Sequence, residues 1–100
     1  MEPCGEEPRN AYRFMLWFAV STVLKLRNIR IAVYTNDHPP PHVHALKGNE
    51  AEARFLLSCP EGPPVLWDYE GFRLSELNEI GELIAKNLEV VCLKWREYHG

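Results

Sequence analysis

The sequence has no excess of positive charge, no closely paired cysteines and no long apolar run, and each absence removes a class of protein. Its formal net charge is -3 with histidine neutral, whereas non-specific nucleic-acid binders usually carry a clear basic excess. Its three cysteines, Cys4, Cys59 and Cys92, are odd in number and widely spaced, with no C-x-x-C pair. This reads as no disulfide framework and as a chain kept in a reducing cytosol. The longest uninterrupted apolar run, Phe14 to Val20, is far short of the ~20 residues a spanning helix needs. It is also short for the apolar core of a signal peptide, and no small-residue cleavage site clearly follows it. A cytoplasmic location with no membrane partner is therefore expected.

What is present is an ordinary globular composition over 100 residues, 46% hydrophobic and 25% charged. A chain of this size forms one domain with one modest core. Any active site should be shallow, or shared with a partner. Residues 1–10 carry two prolines, a glycine and three glutamates, which reads as a disordered start. From Thr22 the pattern alternates with period two. Ile29, Ile31 and Val33 share one parity, and a half-buried strand is predicted. Three successive prolines, Pro39 to Pro41, cannot sit inside a sheet and must end it. His42 to Lys47 resumes an extended run, Lys47-Gly48-Asn49-Glu50 is a turn, and Ala51 to Leu57 returns. Val65 to Tyr69 is a candidate fourth strand. Leu74, Leu77, Ile80, Leu83, Ile84, Leu88, Val91, Trp95 and Tyr98 form one apolar helical stripe over about six turns. Ser75 is its expected N-cap, and Gly81 and Asn87 are the expected weak points. The fold class is therefore α+β: a three- or four-stranded antiparallel meander with a C-terminal helix, one long or two, packed on one face.

The conspicuous string is Asn36-Asp37-His38-Pro39-Pro40-Pro41-His42-Val43-His44. Three readings of it stand open. His42 and His44 lie two apart, so in a strand they share a face. With Asp37 or His38 across the loop they could hold a divalent metal such as zinc, making Asp37, His38, His42 and His44 the candidate ligands. Alternatively His38, His42 and His44 could be catalytic, as general acid and base on RNA. Lys25, Arg27, Arg30, Arg54 or Arg73 would then stabilise phosphate charge. The third reading is structural: Asn36 and Asp37 form a turn, and the histidines are hydrogen-bonded core residues. If Lys47 faces Glu50 across the turn, His44 faces Ala53 and His42 faces Phe55, on the likelier core side; a one-residue slip inverts this. His99 is expected in solvent, although it reaches the site if the helix packs over the hairpin. Trp95 and Tyr98 are expected in the core rather than in a binding face with Trp67. Asp68 and Glu70 are expected as solvated charges.

The histidine string resembles the signature of a bacterial domain of unknown function, family 4160. The resemblance extends through Thr22-Val23-Leu24, Gly48-Asn49, Ala53-Arg54-Phe55, Gly71-Phe72 and Trp95, covering roughly residues 20–100. The histidine motif is specific, whereas the other pieces are weak alone. It implies a strand, the loop, a turn, a second strand and a C-terminal helix. Members commonly begin Met-Pro-Thr-Val, and Val20-Ser21-Thr22-Val23 stands in that place. Val20 is therefore expected as the natural start, with residues 1–19 an upstream extension and 20–100 the domain. The resemblance also implies a place in a small toxin–antitoxin-like gene pair. On that basis the chain is a toxin-like component acting on RNA, with a small antitoxin-like partner protein. The alternative is a non-enzymatic metal- or partner-binding module using the same loop.

Overall fold

The computed structural model describes residues 20–99. The expected extension over residues 1–19 lies outside them. Five strands come first: β1 (Val20–Leu26), β2 (Ile29–Tyr34), β3 (His42–Lys47), β4 (Ala51–Leu56) and β5 (Val65–Glu70). Two helices follow, α1 (Leu74–Lys86) and α2 (Leu88–His99). The strands form one antiparallel sheet in the order β1-β2-β3-β4-β5, so each connection is local and β3 is central.

The α+β class holds, but there are five strands rather than three or four. The stretch read as a single strand from Thr22 turns back on itself at Arg27-Asn28. Leu26 pairs with Ile29, and Arg27 takes the positive φ of 55° that such a tight turn requires. Nothing in Arg-Asn advertises this as strongly as Asn-Gly would.

The second correction concerns register. Lys47 pairs with Ala51, not Glu50, so the turn holds three residues, Gly48 to Glu50. Gly48 supplies a φ of 54°, and the Glu50 N–H donates to the Lys47 carbonyl at 2.9 Å. One extra residue in the turn shifts every partner by one. His44 therefore faces Arg54 and His42 faces Leu56, while Val43 faces Phe55 and Ala45 faces Ala53. The histidines lie on the parity opposite the aliphatic core.

That core joins Ile29, Ile31, Val33, Val43, Ala45, Ala53 and Phe55 of the sheet to Leu77, Ile80, Ile84, Val91 and Trp95 of the helices. Fully burying one such large aliphatic side chain contributes about 1.5–3 kcal/mol. The helix stripe breaks at Asn87, whose side-chain amide donates to the Leu83 carbonyl at 2.9 Å. α1 starts before Ser75: its N-cap is Arg73, whose N–H donates to Glu76 Oε1 at 2.9 Å. The Glu76 carboxyl is held below its usual range by that N–H first and then by Lys47, whose ammonium lies 2.9 Å away and ties β3 to α1.

Cys59 and Cys92 form a disulfide, 33 residues apart in sequence, which overturns the expectation of unpaired cysteines. The odd count and wide spacing hid a pair that only folding brings together. The bond fastens the loop after β4 to α2, and it removes the cysteine argument for a reducing compartment. No helix among the described residues is long and apolar enough to cross a membrane. Gly71 is constrained by a close approach: its φ is 89°, and a Cβ there would run into the Glu50 carbonyl oxygen.

Candidate metal centre

β3 places His42 and His44 on one face, two residues apart. Although this face lies opposite the aliphatic core, both are buried, with 4% and 7% of their surface exposed. Aromatic neighbours bury them. Tyr34 stacks on His44 with ring centroids 3.9 Å apart. Trp67 meets the His42 ring edge-on at 5.4 Å, and Trp95 of α2 approaches it at 5.4 Å. His99 stacks on Trp95 at 3.7 Å and donates through Nε2 to the Tyr34 carbonyl at 3.0 Å. It is thus partly buried behind the site rather than solvated. Tyr98, expected in the core, is exposed instead, because the stripe has run past the sheet-covered turns, and its hydroxyl lies 3.1 Å from Ser21 Oγ.

The loop between β2 and β3 supplies the third member. The Asp37 N–H donates to the Tyr34 carbonyl at 3.2 Å, and the Leu57 N–H donates to the Pro41 carbonyl at 3.0 Å, so both ends of the loop are fixed to the sheet. Asp37 Oδ2 then lies 2.9 Å from His42 Nε2 and 2.8 Å from His44 Nε2. Ligand atoms of Asp37, His42 and His44 all fall within 4.8 Å of one another. His38, also a candidate, is exposed and lies outside this group.

The proton count at this cluster is informative. His42 Nδ1 is 2.8 Å from the Pro40 carbonyl, which can only accept, so Nδ1 carries the ring proton. In a neutral ring Nε2 then presents a lone pair to a carboxylate oxygen. Two acceptors at 2.9 Å require a proton, carried by either partner, or a metal ion between them. On His44 the other nitrogen, Nδ1, is buried without a hydrogen-bond partner, with Glu52 Oε2 at 3.6 Å. Tetrahedral zinc with bonds near 2.0–2.1 Å separates its ligand atoms by about 3.3 Å. The two contacts to Asp37, at 2.9 and 2.8 Å, fall a few tenths of an ångström short of that span.

The surroundings are electronegative. Burial, then the charges of Glu52 and Asp37, raise the Tyr34 hydroxyl above its usual pKa, with Arg30 opposing. Arg54 is engaged by both carboxylate oxygens of Asp68 and lies over the Trp67 ring at 4.3 Å. That pairing holds Asp68 below the usual carboxylate range, so Asp68 is an exposed charge paired with Arg54. Sequence reasoning missed the Pro40 carbonyl, Tyr34 and Trp67 as parts of the site. Trp95 was read correctly as core, yet its ring also forms a wall of the site.

A five-stranded meander backed by two helices, with one carboxylate and two imidazoles converging at the mouth of β3, defines a small α+β domain with a three-donor site. The chain belongs to the family described as a domain of unknown function, DUF4160, whose model matches residues 28–96. The matched stretch runs from β2 into α2 and leaves β1 outside. No curated protein and no solved structure matches the chain.

Proposed function

We propose that the domain is a divalent-metal-binding module, with Asp37, His42 and His44 as ligands and zinc as the best-suited ion. One observation carries this reading: the ring proton of His42 is committed to the Pro40 carbonyl, so its Nε2 faces the Asp37 carboxylate and leaves a place for a cation. A backbone carbonyl holding one imidazole nitrogen while the other binds the ion is the usual support for a metal-ligating histidine. Mixed imidazole and carboxylate donors suit zinc. Three protein ligands leave a fourth position for water or a ligand.

The acid–base reading on RNA has less support. General acid and general base must reach different oxygens of one phosphate, whereas both imidazoles here converge on a single carboxylate oxygen. A toxin-like role and an antitoxin-like partner gain no separate support from the geometry.

The test is calorimetric titration of chelator-treated protein with zinc chloride. One ion per chain is expected, with binding lost in Asp37→Asn and His44→Ala. Asp37→Asn keeps the size of a partly exposed side chain, so its failure to bind reports on the ligand rather than the fold. Absence of zinc binding in the folded wild type, or unchanged binding in Asp37→Asn, would sink the metal reading. The cluster would then be a structural ion pair held by a proton.

A further inference from the structure

On the far side of His44 the sheet carries an acidic groove that the metal reading does not use. Glu52 and Glu70 are direct cross-strand partners on β4 and β5, both exposed. Like charges directly opposite are destabilising, and among the described residues neither has a Lys or Arg within ion-pair distance. Of the nearby cations, Arg54 is bound to Asp68, and Arg30, which donates to Thr22 Oγ1 at 3.3 Å, lines only the larger of the two cavities described next. Two open cavities adjoin this pair. One, about 340 Å³, is lined by His44, Glu52, Arg54, Asp68 and Glu70. The other, about 490 Å³, runs past Tyr34 and Leu46 and shares Glu52 and Glu70 with the first.

A second observation points to a ligand. His44 is more than nine-tenths buried, and its Nδ1 has no partner. Its Nε2 is turned to Asp37, which aims Nδ1 at Glu52 and the groove. When Nε2–H donates to Asp37, Nδ1 is an acceptor. Around the Glu52–Glu70 pair the groove then presents three acceptors, which suit a cation with several N–H groups. A bare divalent ion needs a tighter set: among the described residues only Asp37, His42 and His44 bring their ligand atoms within 4.8 Å. An ammonium group bridges wider gaps through N–H···O bonds of ~2.9 Å.

We infer that the groove between Glu52 and Glu70, closed at one end by His44, binds an alkylammonium group. The head lies between the two carboxylates with His44 Nδ1 as third acceptor, and the stem lies along Leu46 and Tyr34. A lysine side chain on a peptide and a free alkylamine share this chemistry.

The test is a two-dimensional amide NMR titration of the metal-free, full-length chain with n-butylammonium chloride, against sodium chloride at equal ionic strength. Saturable shifts confined to residues around Glu52, Glu70 and His44 are expected, with at least a tenfold loss of affinity in both Glu52→Gln and Glu70→Gln. These surface changes remove a like-charge clash, so the variants stay folded, as their spectra will report. Acetyl-lysine methylamide binding more tightly than butylammonium identifies a peptide lysine as the ligand; equal affinity identifies a free amine. Shifts reproduced by sodium, shifts reproduced by acetyl-norleucine methylamide, or affinity unchanged in the two Gln variants would each overturn the assignment. Zinc is absent throughout, so the outcome is independent of whether the metal site exists.

Discussion

The two faces of the sheet obey different rules. Toward the helices, Ile31, Val33, Val43 and Ala45 are fully buried against Ile80, Ile84 and Val91, and no hydrogen bond is at stake. On the other face, one cross-strand row reads Ala32, His44, Arg54, Asp68, and the next reads Arg30, Leu46, Glu52, Glu70. Stability is concentrated on the first face. On the second, polar groups are held at fixed spacing with some left unpaired, and function usually has its place there because such groups persist only when something offsets their cost.

The largest effect expected of breaking this contrast comes from the helix-covered face. Ile80→Ala should lower the unfolding free energy by about 2–5 kcal/mol in urea titrations. Zinc stoichiometry should be unchanged, because Ile80 belongs to the aliphatic core and not to the Asp37, His42 and His44 group. Replacing Cys59 with Ser opens a loop of 33 residues' separation and should remove about 3–4 kcal/mol by loss of chain constraint. Matching denaturation of the wild type with and without reductant checks that estimate.

The polar face should respond to ligands instead. Free zinc at a hundred times its dissociation constant should stabilise the wild type by about 2.7 kcal/mol and Asp37→Asn far less, read as midpoint shifts in the same titrations. A smaller effect lies at the rim of the helix-covered face. The Glu76 carboxyl is held below its ordinary value by the Arg73 N–H and by Lys47. Its contribution is therefore full above the unfolded carboxylate pKa and fades as pH falls through the folded one. Glu76→Gln should lower stability near pH 6 and lose less on acidification to pH 3, with unfolding midpoints at the two pH values as the check. The finest distinction couples the two proposed sites. An ion on His44 Nε2 leaves the ring proton on Nδ1, turning the groove's third acceptor into a donor. Zinc should then weaken butylammonium binding several-fold in the NMR titration.

Much of the fold was legible in the residues. The period-two run Ile29-Ile31-Val33 and the stripe from Leu77 to Trp95 named the core because burial selects apolar side chains at the spacing of the element. The loop Asn36 to His44 marked the site region, since three prolines must leave the sheet. Two of the misses share one cause: each depended on a single turn. Arg27-Asn28 makes a hairpin without a strong turn signature, and a third residue in the Gly48 turn moved His42 and His44 to the other face.

By itself, then, the sequence determined the α+β class, the helix stripe, the membership implied by the histidine string and the fact that His42 and His44 share a face. Only the tertiary structure decided which face, which loop oxygen meets them, and that His38 stays out while Asp37 comes in. It alone joined Cys59 to Cys92 and opposed Glu52 to Glu70. The physical reason is the range of the forces. Periodicity is written locally by which side chains face water, but register, ion pairing and proton placement depend on atoms brought together from distant parts of the chain.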